Sequence, residues 1–122
     1  MTFTLTAAVL DSADPPALAR FYQRLLGWPI ASEDPTWVTL RPPEGGAGLS
    51  FQLEPDHVPP VWPATPGTPQ MQSHLDIEVD DLAAATEVAL AAGATLAGFQ
   101  PQDDVRVLLD PAGHPFCLWV RT

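Results

Sequence analysis

The chain has 122 residues, with 15 acidic side chains against five arginines and no lysine, for a formal net charge of −10. This length fits one compact domain, and at 46% hydrophobic the chain can bury a core, which excludes wholesale disorder. The charge argues against nucleic acid, since phosphate binding needs clustered cations. No apolar run reaches the roughly 18–20 residues of a membrane span, and a single cysteine excludes an internal disulfide.

Residues 3–10 read as a first strand, bounded by the polar run DSADPP. Asp14 is a suitable N-cap, and Pro15 fits the first helical position, where its missing N–H costs nothing. Leu18, Phe21, Tyr22 and Leu25 recur at helical spacing, and Gly27 supplies a C-terminal stop. Strands are predicted at 28–32, 36–41 and 49–54.

Residues 55–70 hold six prolines and one glycine, Gly67. Such a stretch cannot pair as a central strand. It reads as a linker, serving either as a plain tether or as a lid.

The pattern then repeats. Residues 73–79 alternate, with Leu75, Ile77 and Val79 on one face. Asp80 or Asp81 caps a helix over 82–92, Gly93 ends it, and strands are predicted at 95–97, 105–109 and 116–120. Both halves therefore read β-α-β-β-β. The predicted class is α+β, as a single domain over 1–122: module one at 1–54, the linker at 55–70 and module two at 71–122.

Four segments carry a family resemblance: Asp14-Pro15 with Ala19-Arg-Phe-Tyr-Gln-Arg-Leu-Leu-Gly27, His74-Leu-Asp-Ile-Glu-Val-Asp-Asp-Leu82, Ala92-Gly93-Ala94, and Asp110-Pro-Ala-Gly-His-Pro-Phe-Cys-Leu-Trp119. The chain resembles the vicinal-oxygen-chelate superfamily, which contains glyoxalases, bleomycin-resistance proteins and extradiol dioxygenases. The resemblance implies two modules whose mixed sheets curl around a cup, and a homodimer. In metal-dependent members it also implies a divalent cation, held by His and Glu from the first and last strands of the modules. Activity does not follow from the fold, because this fold hosts many chemistries.

The resemblance puts the four ligand positions at Ala7, Gln52, His74 and Cys117. Only His74 is a good ligand, Cys117 is a soft one, Gln52 offers a neutral oxygen and Ala7 offers nothing. A catalytic divalent site takes three protein ligands and an open position, and hard ions want carboxylates. The expectation is therefore no metal and no cofactor.

His74, Asp76 and Glu78 alternate and so share a face, roughly 6.5–7 Å apart. That face is either a hydrogen-bonding cup floor or a solvated rim. His74 and Asp76 would form an acid–base pair, with no nucleophile beside it. Cys117 reads as a buried inert thiol, His114 as a turn residue and His57 as exposed in the linker. Trp119 shares the parity of Cys117, and Trp62 on the linker is placed to close over the mouth. Trp37, Trp62 and Trp119 read as either pocket walls or core. Arg41 either orients a ligand carboxylate or lies on the surface.

The leading reading is a metal-independent protein that binds a small aromatic or cationic ligand through His74, Asp76, Gln52, Cys117, Trp37, Trp62, Trp119 and Arg41. A second is a metal-dependent lyase, isomerase or dioxygenase acting at His74. A third is a structural dimer with a vestigial cup. Whether the chain is an enzyme stays open. The N-terminus lacks a basic region and a cleavage signature, which predicts a cytoplasmic protein.

Overall fold

Asp14 and Pro15 set the start of the first helix. The Asp14 carboxylate accepts the Ala17 N–H at 3.2 Å, and Pro15 sits in the first turn. This helix, α1 (Pro15–Leu26), ends at Gly27, whose φ of 71° lies in the left-handed region that favours glycine. The second helix, α2 (Leu82–Ala92), spans the predicted residues. Its cap is Asp81, which accepts the Ala84 N–H at 3.0 Å, and Gly93 ends it.

The computed structural model describes all residues, Met1–Thr122, in two units, Met1–His57 and Val58–Thr122. The first holds β1 (Ala7–Ser12), α1, β2 (Ile30–Asp34), β3 (Trp37–Leu40) and β4 (Gly48–Leu53). The second holds β5 (Leu75–Glu78), α2, β6 (Thr95–Leu96), β7 (Val105–Leu109) and β8 (Pro115–Trp119). The sheet orders are β1-β4-β3-β2 and β5-β8-β7-β6. In each sheet the first strand runs parallel to the last and the other pairs are antiparallel. The fold is thus α+β, built from two β-α-β-β-β modules with one topology, as the sequence repeat predicts.

The first strand differs from its predicted span. Its parallel ladder with β4 runs from Ala7 opposite Gly48 to Ser12 opposite Leu53, so Asp11 and Ser12 belong to the strand. Ser12 is buried, and its hydroxyl accepts the Asp14 N–H at 2.9 Å. Phe3 and Leu5 lie outside the strand, 89% and 79% exposed. The strand predicted over 28–32 also moves, because the turn into β3 forms later. There the Asp34 carboxylate accepts the N–H groups of Thr36 and Trp37 and the Thr36 hydroxyl, at 2.7–3.0 Å. These bonds hold that carboxyl below the usual carboxylate range, the Thr36 hydroxyl contributing most.

In the first unit α1 packs on β3 and β4. Leu18, Phe21 and Tyr22 are buried with Val38, Leu40, Leu49 and Phe51, and the Tyr22 and Phe51 rings stack at 5.7 Å. In the second unit the core is Val107, Leu108, Phe116 and Leu118, with Ala89 the one buried residue of α2.

The proline-rich stretch is not free chain. From Val58 onward it belongs to the second unit. The Val61 N–H donates to the Pro69 carbonyl at 2.8 Å, and Val61 bridges Gln70. Pro59 lies against Gly113, where a Cβ would come 2.6 Å from the Pro59 Cβ. Gly113 also has a φ of +86°. Gly113→Ala is therefore expected to lower the melting temperature by roughly 10 °C. That combines about 1–2 kcal/mol of left-handed strain with about 1–3 kcal/mol of overpacking. Differential scanning calorimetry checks it.

Candidate ligand-binding site

β5 and β8 are neighbours in parallel, with Asp76 opposite Cys117 and Glu78 opposite Trp119. β7 adds Val107 opposite Cys117 and Val105 opposite Trp119. Strand alternation puts these side chains on one face of the second sheet. A pocket of about 390 Å³ opens on that face, and every residue lining it belongs to the second unit. The volume falls at the small end of the roughly 300–1,000 Å³ range of ligand sites.

His74 precedes β5 by one residue rather than lying inside the strand, and it still reaches this face. Its Nε2 lies 3.1 Å from the Asp76 carboxylate. Trp62 stacks on its imidazole, with ring centroids 4.8 Å apart and planes 25° from parallel. Phe99 meets the other aromatic edge-on, 5.4 Å from Trp62. Trp62 and Trp119 both line the pocket and are both half-buried.

Cys117 is buried at the base. Burial, then the charge of Asp76 and a hydrogen bond to it, push its thiol up to about 11. The thiol is a proton donor to Asp76 at neutral pH and a poor nucleophile. Two consequences follow. Native protein is expected to leave Cys117 unlabelled by maleimide at pH 7.5, with full labelling in guanidinium. The raised folded value also contributes stability that is complete below pH 9 and is lost as pH rises toward 11, an effect of order 2 kcal/mol. Cys117→Ala removes that alkaline loss, read by urea titration at pH 8 and pH 10.5.

Glu78 is the second acid of β5 and is fully engaged. Arg121 donates to both its oxygens, at 2.8 and 3.0 Å, and holds its carboxyl below the usual range. The same guanidinium lies 5.3 Å from the Trp119 ring centroid.

Three other candidates lie in the first unit. The Gln52 amide nitrogen donates to Asp11 at 2.7 Å. The Trp37 indole N–H donates to Thr39 at 3.0 Å, and Trp37 is partly exposed. The Arg41 side chain is on the surface, and its backbone N–H donates to the Pro29 carbonyl. His57 is half-buried rather than exposed, its N–H donating to the Glu54 carbonyl. His114 keeps its turn role: its N–H donates to the buried Asp110 carboxylate at 2.9 Å.

Phe99 and Asp104 also line the pocket and escape sequence reasoning. They lie in an irregular segment with no periodicity. Gln100 pins that segment: its amide accepts the Val107 N–H at 3.0 Å and donates to the carbonyls of Val107 and Ala97, at 2.8 and 3.0 Å. Val105 and Val107 carried a usable signal, since they alternate in step with Cys117 and Trp119.

The glyoxalase-like domain model matches residues 7–119. The chain belongs to the glyoxalase-like domain family. It therefore falls within the vicinal-oxygen-chelate superfamily. No curated protein matches the sequence. Among solved structures, it is similar to a glyoxalase/bleomycin resistance protein/dioxygenase family enzyme from Burkholderia phytofirmans, at 22% identity and a TM-score of 0.72, covering 97% of this chain and 98% of that one. A glyoxalase-related enzyme from Fulvimarina pelagi follows at 20% identity and a TM-score of 0.70, over 98% and 89%. The bleomycin-binding protein of Streptomyces verticillus, solved with copper(II)-bleomycin, matches at 21% identity and a TM-score of 0.60, over 100% and 99%. At these identities the likeness is one of fold.

The glyoxalase-like family implies a divalent cation in some members, and the donor set tests that here. Position 7 is alanine, and Gln52 holds Asp11 through its amide. In the second unit, donor atoms of His74, Asp76 and Cys117 lie within 4.8 Å of one another. A tetrahedral ion with bonds of about 2.0–2.3 Å holds its ligands roughly 3.5 Å apart. The lone carboxylate of the three, Asp76, already accepts a hydrogen bond from the Cys117 thiol and has the His74 Nε2 3.1 Å away. This set does not fit the oxygen-rich shell that Mg²⁺, Mn²⁺ or Fe²⁺ requires.

Proposed function

We propose that this glyoxalase-like protein is a metal-independent binder of a small aromatic or cationic molecule, held in the pocket on the second unit's sheet. The observation that carries this reading is the pocket: Trp62, Phe99 and Trp119 wall a space of about 390 Å³ over the polar group His74, Asp76 and Cys117. Aromatic walls around a few fixed polar groups are what small-molecule sites provide. The donor chemistry speaks against a hard divalent cation such as Mg²⁺ or Mn²⁺, and the protonated Cys117 leaves the site without an activated nucleophile. The fold-mate that binds bleomycin supports ligand capture as a use of this fold.

A thermal-shift screen of aromatic and cationic compounds, run in chelator, tests the reading. A saturable rise in melting temperature without turnover is expected. A rise seen only after a divalent metal is restored would count against it. We also propose that the protein acts in the cytoplasm as a homodimer. The exposed Phe3, Leu5 and Val9 support association, and sedimentation equilibrium measures it.

A further inference from the structure

Two carboxylates line the pocket, Asp76 and Asp104, and neither Lys nor Arg does. The cations nearest in sequence are already committed. Arg121 is bound bidentately to Glu78. Arg106 donates to the backbone carbonyls of Gln102, Asp103 and Val105. Around Asp76 stand the His74 Nε2, 3.1 Å away, and the Cys117 thiol, and no Lys or Arg of the pocket pairs with its carboxylate. The Asp76 side chain is 63% exposed, which leaves its carboxylate open to a further donor.

One strand step away, the chain shows how such a site is filled. Glu78 carries the Arg121 guanidinium, and that guanidinium lies over Trp119. Asp76 has an aromatic neighbourhood of its own, with Trp62 stacked on His74, and no guanidinium of the chain reaches it. A cation set against an aromatic face and a carboxylate gains from both.

Building on the small-molecule reading, we infer that the pocket's ligand is an organic cation with N–H donors, an amidinium or protonated amine on a flat body. Asp76 is its counter-charge and Trp62 and Trp119 are its walls. An anion would meet two carboxylates, and a neutral isostere would leave the Asp76 charge uncompensated.

A matched trio on one ring tests this: benzamidine, benzamide and benzoate, titrated into the full chain by calorimetry. Benzamidine is expected to bind with a sub-millimolar Kd, at least tenfold tighter than benzamide, and benzoate weakest. Raising NaCl from about 20 to about 500 mM should weaken benzamidine several-fold and leave benzamide unchanged. Asp76→Asn should bring benzamidine down to the benzamide level. Equal binding of all three would overturn the inference and leave the small-molecule reading standing. A preference that survives both salt and Asp76→Asn would also overturn it. No binding of any of the three at 10 mM would sink the inference and the pocket reading together.

Discussion

Trp62→Ala should weaken benzamidine binding about thirtyfold. The indole contributes one wall of the pocket and orders the rest, since it stacks on His74 at 4.8 Å and meets Phe99 at 5.4 Å. Aromatic anchors in binding pockets typically cost 2 kcal/mol or more on truncation, which is about thirtyfold at about 1.4 kcal/mol per decade. Removing it also frees the His74 imidazole, so the ring beside Asp76 loses its fixed orientation. Trp62→Phe keeps a face to stack on and should stay within about threefold of the parent. Calorimetric titration of the three proteins decides. An unchanged Kd in Trp62→Ala would place the ligand elsewhere.

The largest stability effect is expected at Phe51. It is fully buried on β4, the strand that lies between β1 and β3, and its ring stacks on Tyr22 of α1. Truncating a buried Phe to Ala costs about 3–5 kcal/mol, from lost transfer energy and the cavity left behind. Domains of this kind have about 5–15 kcal/mol to lose. Phe51→Ala should therefore remove much of the stability, seen as a large fall in the urea midpoint. Phe51→Leu, which fills most of the volume, should cost less than half as much. Equal midpoints for the two variants would mean that this core is looser than the packing indicates.

What the sequence discloses here follows from how local each signal is. Helix ends are written in single residues, so Asp14, Pro15 and Gly27 place α1, and Gly93 closes α2. Strand β1 is set by a parallel partner some 40 residues away, and nothing near residues 3–12 announces that register. Phe3 and Leu5 look like strand residues and stand exposed in front of it. At the site, alternation put His74, Asp76 and Glu78 on one face and Trp119 in step with Cys117, whereas the register that sets Asp76 opposite Cys117 and Glu78 opposite Trp119 comes from the parallel pairing of β5 with β8. Phe99 and Asp104 were invisible because Gln100, rather than a strand or helix period, fixes their segment. The prolines of 55–70 spoke against a strand and said nothing of packing. Pro59 against Gly113 and Trp62 against His74 are contacts that composition cannot announce.

We propose, then, that the pocket binds an organic cation with no metal ion. The most direct measurement is the metal content of tag-free protein purified without chelator, with the benzamidine Kd taken on the same sample before and after EDTA. Far less than one equivalent of metal, a Kd unmoved by EDTA, and no change of metal content in His74→Ala are the predicted results. Near-stoichiometric metal that disappears in His74→Ala, with binding lost in EDTA and restored by zinc or manganese, would contradict it.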